Sequence, residues 1–255
     1  MKHRPFLTSI QKAREQGTKL FALLLDPDKM EEGNLMGLID SAERAGVDFL
    51  FVGGSLLTKG DLEECLLRLK EITRLPIIIF PGSGFHISEQ ADGILVLSLI
   101  SGRNPDYLIG QHVQAAPRLK SSGIELIPTG YMLIDGGRTT SASYMSGTQS
   151  IPRDKPGIAS CTAMAGEILG LSVLFMDAGS GAKLAVDPLM VKTVRDNTDI
   201  PIIVGGGLRS VDAVKAAYGA GADLVVLGTL FEEAPDELES FLKQVRQGNN
   251  LEKIM

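Results

Sequence analysis

The stretch Ser172-Val173-Leu174-Phe175-Met176-Asp177-Ala178-Gly179-Ser180-Gly181-Ala182 organises the rest of the chain. Its first half is apolar and ends in one carboxylate, Asp177, and a loop of small residues follows at once. That pattern predicts a buried strand over residues 172–176, whose C-terminal end delivers an acid beside a loop open enough to admit an anion. The motif recurs downstream. Gly205, Gly206 and Gly207 follow the apolar run 202–204, and Gly228 and Thr229 follow the run 224–227. Glycine lets backbone N–H groups approach an oxyanion, and helix N-termini add partial positive charge. Three successive strand ends opening into glycine therefore point to one phosphate pocket above a parallel sheet. The competing reading is tight turns that bind nothing.

Outward from these stations the chain alternates. Strands are expected at 19–25, 48–52, 76–80, 93–97, 124–128, 172–176, 202–204 and 224–227. Helices are expected at 8–16, 31–45, 61–73, 107–120, 157–169, 187–197, 210–218 and 236–245. The strands are continuous runs of β-branched residues and leucine, as when both faces are buried. Only residues 87–91 separate the loop after the third strand from the fourth strand, too few for a full crossover helix. Residues 129–156, rich in Gly, Ser and Thr, read as one long loop of functional character. Eight units fill the chain and no linker divides it. The expected fold is α/β: a single (β/α)8 TIM barrel over residues 1–255 with a degenerate third crossover helix. A doubly wound open sheet is the alternative.

Composition narrows the function. The chain has 255 residues with a formal net charge of −6, which argues against a nucleic-acid surface. No apolar run reaches the roughly 18 residues of a membrane span. The basic N-terminus leads into polar sequence rather than a signal core, so a cytoplasmic setting is expected. Cys65 and Cys161 form no metal-ligand pattern and read as small buried hydrophobes. His3, His86 and His112 show no metal-ligand or triad spacing, and His86 reads as a solvated loop residue.

Asp26 and Ser55 end adjacent strands if the barrel is correct. A carboxylate and a hydroxyl suit Mg²⁺, which takes few protein ligands and leaves room for water and phosphates. The same residues read equally well as an Asp-Pro turn and a serine cap, and Asp28 is a rival ligand. Asp177 ends its strand on the catalytic face and could serve as a general base beside a phosphate ester. Asp48, Asp92 and Asp223 begin strands, on the opposite side.

Several segments stand in one order: LLDPDK at 24–29, VGGS at 52–55, PTGY at 128–131, IPRDKP at 151–156, DAGSGA at 177–182, VGGGLRS at 204–210 and LGT at 227–229. Together they resemble the geranylgeranylglyceryl phosphate synthase family, which includes bacterial heptaprenylglyceryl phosphate synthases. The resemblance covers nearly the whole chain and implies a Mg²⁺-dependent prenyltransferase on a barrel with a modified third helix. Such an enzyme joins the C3 hydroxyl of sn-glycerol 1-phosphate to C1 of a polyprenyl diphosphate, here geranylgeranyl, and releases diphosphate. By that match Asp26 and Ser55 hold Mg²⁺ against the diphosphate. Phe175, Met176, Asp177, Ala178, Gly179, Ser180 and Gly181 bind glycerol phosphate with Gly205, Gly206, Gly207, Gly228 and Thr229, and Asp177 deprotonates the attacking hydroxyl. The prenyl tail lies in an apolar groove with the 129–156 loop as a wall.

The family pattern has Tyr-Leu-Glu where this chain has Phe175-Met176-Asp177, so the acid is one methylene shorter and a phenol is lost. Leu24 replaces a lysine found in one branch, which matches the longer-chain branch with the Gly-Ser-Gly loop. The resemblance also implies a homo-oligomer that touches a membrane only transiently, for product release. Two other functions compete: an isomerase or lyase acting on a sugar phosphate, and a glycerol-phosphate-binding protein without catalysis.

Overall fold

The computed structural model describes residues 5–29, 32–228, 231, 234 and 236–247. Eight parallel strands close on themselves: β1 (Leu20–Leu25), β2 (Phe49–Val52), β3 (Ile77–Ile79), β4 (Gly93–Leu99), β5 (Glu125–Leu133), β6 (Val173–Asp177), β7 (Ile202–Gly205) and β8 (Leu224–Leu227). β8 returns to β1 through the register Leu20↔Leu224 to Leu23↔Leu227, which excludes the open doubly wound sheet.

Among the described residues the α-helices are α1 (Pro5–Glu15), α2 (Glu32–Ala45), α3 (Leu62–Ile72), α4 (Gln111–Ser121), α5 (Ser141–Ser146), α6 (Pro156–Ile168), α7 (Pro188–Arg195), α8 (Val211–Gly219) and α9 (Glu237–Arg246). Residues 80–92, between β3 and β4, form no helix. The short third crossover read from the sequence is therefore present.

Strand alternation sorts the side chains into two cores. Phe49, Phe51, Ile78, Leu95, Ile127, Phe175, Ile203 and Val226 fill the barrel interior. Leu50, Val52, Ile79, Met176, Val204 and Val225 face outward beneath the helices. α1 plugs the bottom of the barrel. Phe6, Leu7 and Ile10 join the interior core, with the Phe6 ring 4.8 Å from that of Phe49. Each such burial contributes roughly 1.5–3 kcal/mol.

Acids seal the lower rim. Asp48 accepts from the Phe21 N–H, Asp92 from Ile77 and Asp223 from Ile202. Glu125 accepts from the N–H groups of Phe6 and Leu7 at 2.8 and 3.0 Å, which satisfies two of the orphan donors at the start of α1.

Two expectations need correction. Residues 129–156 are not one loop: β5 runs on to Leu133, a bridge joins Ile134 to Ile151, and α5 forms between them. Thr140 and Ser143 cap α5 reciprocally, a device that needs only short hydroxyl side chains at that spacing. The second correction concerns cysteine. Cys65 is buried, and burial pushes its thiol up to about 12, but Cys161 lies exposed on α6.

Candidate active site

The C-terminal ends of the strands surround a cleft of about 420 Å³. Asp26 stands at the end of β1, and Gly54 and Ser55 follow β2. A Cβ on Gly54 would lie 3.4 Å from Asp26 Oδ1, so the two strand ends touch. Asp26 lines the cleft with Ser55, and Lys29 Nζ lies 3.4 Å from Asp26 Oδ2.

The rival Asp28 is engaged elsewhere. One of its oxygens accepts from the Thr58 N–H at 2.7 Å and the Thr58 hydroxyl at 2.8 Å. The other accepts from Lys59 and Gly60 N–H at 3.0 and 2.7 Å. Those bonds, the one from Gly60 foremost, hold its carboxyl far below the usual carboxylate range. Asp28 thus fastens the loop after β1 to the loop after β2.

Among the described residues no three His, Cys, Asp or Glu side chains cluster as a metal site. One carboxylate and one hydroxyl on adjacent strand ends nonetheless fit Mg²⁺, whose remaining positions go to water and substrate phosphates.

Across the cleft, Asp177 closes β6 with 7% of its surface exposed. The Tyr131 hydroxyl donates to its Oδ2 at 2.5 Å and the Gly179 N–H to its Oδ1 at 2.7 Å. Burial raises the carboxyl above its ordinary value, and the two hydrogen bonds pull it back. Tyr131 is itself pushed well above its ordinary value, first by burial and then by Asp177, so its phenol stays protonated.

Ser180, Gly181, Gly205, Gly206, Gly207 and Gly228 all border the cleft. Gly206 has φ +77°, and a Cβ there would fall 2.6 Å from Asp177 Oδ1, so only glycine lets the β7 loop pass the acid. Thr229 lies outside the described residues. Two cations line the cleft, Lys29 and Arg209.

Three expected site residues do not reach it. Met176 is fully buried among the outward-facing side chains, because Phe175 and Asp177 claim the inward positions of β6. Ala178 is buried in the same outer layer. Gly179 holds Asp177 through its N–H rather than lining the cleft. Phe175 does border the cleft, as a 1% exposed ring stacked on Phe80 at 5.2 Å.

A second cavity, about 100 Å³, opens beside the first and is largely apolar. Ile94 and Val96 of β4 and Ala115 and Leu119 of α4 line it from the outer layer, Leu97 lines it from the barrel interior, and residues 81–84 close one side. It occupies the flank of the barrel that a helix after β3 would cover, so the short crossover creates the groove. Ala142 and Met145 of α5 add a wall from the 129–156 segment. The His112 Nε2–H donates to the Leu97 carbonyl at 2.8 Å. His86 is half-buried rather than solvated. Its Nδ1 accepts from Gly82 N–H, and burial lowers its pKa.

Gly54, Ser55, Phe80, Tyr131 and Ala142 border both cavities. A polar cleft and an apolar groove thus meet at a neck between the Asp26/Ser55 pair and Asp177. Reading the sequence missed Phe80, the two cations and the partnership of Tyr131 with Asp177. Tyr131 stood in the PTGY segment, and extending β5 past residue 128 would have turned it inward.

The chain matches the PcrB family over residues 10–248. It is 48% identical over 243 residues to the geranylgeranylglyceryl phosphate synthase of Spirosoma linguale, covering 95% of this chain and 98% of that protein. It is 40% identical over 230 residues to the protein of the same name from Korarchaeum cryptofilum, covering 90% and 94%. The crystal structure of (S)-3-O-geranylgeranylglyceryl phosphate synthase from Thermoplasma acidophilum, in complex with its substrate sn-glycerol-1-phosphate, superposes with a TM-score of 0.86. That pair is 34% identical, with 94% and 96% of the two chains covered.

Proposed function

The chain belongs to the PcrB family, and from that premise we propose that it transfers the polyprenyl group of a polyprenyl diphosphate to the C3 hydroxyl of sn-glycerol 1-phosphate. The observation that carries this reading is the meeting of a polar cleft with an apolar groove at one neck. A sugar-phosphate isomerase or lyase would have no use for the groove.

The phosphate of the acceptor fits the backbone of Ser180, Gly181 and Gly205 to Gly207, with Arg209 supplying positive charge. The diphosphate of the donor fits beside Asp26 and Ser55, and its geranylgeranyl tail enters the groove. Asp26 and Ser55 would hold Mg²⁺, which when bound offsets the charge that grows on the departing diphosphate.

Asp177 accepts the proton of the C3 hydroxyl. The freed oxygen bonds to C1 of the prenyl chain, while the C1–O bond to diphosphate breaks and its electron pair leaves with the diphosphate. Tyr131 and Gly179 fix both oxygens of Asp177, so the shorter acid arrives preoriented. Tyr131 also supplies, from β5, a phenol beside the acid that position 175 does not carry.

Among the described residues no helix is long and apolar enough to cross a membrane. Exposed Ile158, Ile168 and Leu169 on and beside α6 support self-association.

The test is a product assay with sn-glycerol 1-phosphate and labelled geranylgeranyl diphosphate, with Mg²⁺ or EDTA and with the sn-3 enantiomer as control. Label should enter a prenylglyceryl phosphate only with Mg²⁺ and the sn-1 acceptor. Absence of product with any prenyl length overturns the reading.

A further inference from the structure

The segment IPRDKP at 151–156 borders neither cavity, yet one of its side chains reaches the backbone behind the glycine loops. Its root is fixed to the end of β5. The Ile151 N–H donates to the Leu133 carbonyl and the Asp135 N–H to the Ile151 carbonyl, each at 2.9 Å. From there Arg153 spans to the strap of residues 182–187, which leads from the Gly-Ser-Gly loop into α7. Its Nη1–H donates to the Ala185 carbonyl, and its Nη2 lies 3.4 Å from Asp187 Oδ2. The other Asp187 oxygen accepts from the Leu189 N–H at 2.9 Å and caps α7. The Gly136 carbonyl accepts from the N–H groups of Lys183 and Leu184 at 3.0 and 3.1 Å, so the strap is held on either side of the 184–185 peptide. That peptide packs against Gly207, which borders the cleft. Gly207 has φ +69°, and a Cβ there would fall 2.6 Å from the Leu184 carbonyl oxygen and 2.8 Å from the Ala185 nitrogen.

From this chain of contacts we infer that Arg153 is a positioning residue of the acceptor site: it holds the 184–185 peptide against Gly207 and so fixes the backbone that receives the acceptor's phosphate. The inference rests on the reading of the glycine loops as the site of sn-glycerol 1-phosphate. Arg153 itself touches no substrate. A phosphate site built from main-chain N–H groups binds well only when those groups are already aimed, since ordering a loop on binding costs affinity. A guanidinium suits the task, because one rigid planar group serves a carbonyl and a carboxylate together. The contact with Asp187 is partly exposed and contributes little alone, so the bond to Ala185 carries the hold.

A residue that served only the fold would cost melting temperature and leave acceptor affinity alone, and this gives the discriminating experiment. Binding of sn-glycerol 1-phosphate is measured by calorimetry and of inorganic phosphate by phosphorus NMR titration, beside steady-state kinetics with geranylgeranyl diphosphate. Arg153→Met should weaken both ligands about tenfold and raise the KM for sn-glycerol 1-phosphate to match. The kcat and the KM for geranylgeranyl diphosphate should stay as in the unmodified protein. Arg153→Lys keeps the charge and one of the two attachments, and its affinities should fall between. Lys155→Met removes a neighbouring cation paired with Asp154 and should change nothing. Unchanged affinity in Arg153→Met overturns the inference, as does a loss of kcat with KM intact. Full affinity in Arg153→Lys also overturns it, because charge alone would then account for the effect. Where Arg153→Met does not fold, Arg153→Lys decides by weakened or unchanged affinity. An unmodified protein that binds sn-glycerol 1-phosphate but makes no product overturns prenyl transfer, and the binding series still decides the role of Arg153. One that binds neither ligand overturns both.

Discussion

The phenol of Tyr131 donates to Asp177 Oδ2 over 2.5 Å, from a neighbouring strand and 46 residues earlier in the chain. The register Leu133↔Asp177 places the two strand ends side by side, and the inward turn of each side chain does the rest. One buried hydrogen bond thus links the acid of the cleft to the ring that borders the groove.

That link makes activity pH-dependent in a defined direction. Asp177 must be ionised to accept a proton, and burial raises its pKa, so the acid limb of kcat/KM should lie above the ordinary aspartate range. Tyr131→Phe removes a donor that favours the carboxylate. It should therefore move the limb to still higher pH, with a loss of about 1–3 kcal/mol in stability. Asp177→Asn should lower turnover by roughly 10²–10⁴-fold with the fold retained. Near-normal turnover in that variant removes Asp177 from the base role. The sign for stability is opposite to that for activity. Because the folded state binds this proton more tightly than the unfolded chain, the contribution of Asp177 to stability is complete below its unfolded pKa. It is lost as pH rises through the folded value.

Asp26 and Asp28 should separate cleanly in a Mg²⁺ titration of activity. Asp26→Asn should raise the Mg²⁺ needed for half-maximal rate and lower the rate itself. Asp28→Asn should lower the melting temperature with little change in the Mg²⁺ response, since its carboxylate ties down Thr58, Lys59 and Gly60. Its depressed pKa means that this tie contributes at neutral pH and is lost as pH falls through the folded value. A metal response altered in Asp28→Asn and intact in Asp26→Asn reverses the assignment.

Ala115 borders the groove from α4. Ala115→Trp places an indole where the tail would run, so kcat/KM for geranylgeranyl diphosphate should fall at least about tenfold, or ~1.4 kcal/mol. Geranyl diphosphate, with ten fewer carbons to seat, should retain its rate. Competition between the two donors in one reaction reads the shift directly, and an unchanged preference places the tail elsewhere.

Glu125→Ala strands the N–H groups of Phe6 and Leu7 at the start of α1. Unmade buried bonds of this kind cost about 1–3 kcal/mol each, so thermal unfolding should begin markedly earlier. Proteolysis in the native state should cut first near α1. Equal melting temperatures would mean that α1 is held by Phe6, Leu7 and Ile10 alone.

The barrel was legible because local rules produce it. Apolar runs separated by amphipathic helices demand a parallel sheet buried on both faces, and eight such units close it. The places of Asp26, Ser55, Asp177 and the glycines at 181, 205–207 and 228 around the cleft were legible because each lies at or just after the end of a run that could only be a strand. What escaped depended on neighbours distant in sequence. Asp26 and Asp28 are equivalent on paper, and only the approach of residues 58–60 takes Asp28 out of the cleft. Met176 reads as part of the site until strand parity turns it away. Tyr131 lay in what read as a loop, because Pro128 and Gly130 are poor strand formers and pairing on both sides overrides that preference. Sequence determined that eight strands form in alternation with helices, since that follows from short-range periodicity and backbone stereochemistry. Only the closed barrel decided which side chains share one cavity, because that depends on register between strands dozens of residues apart.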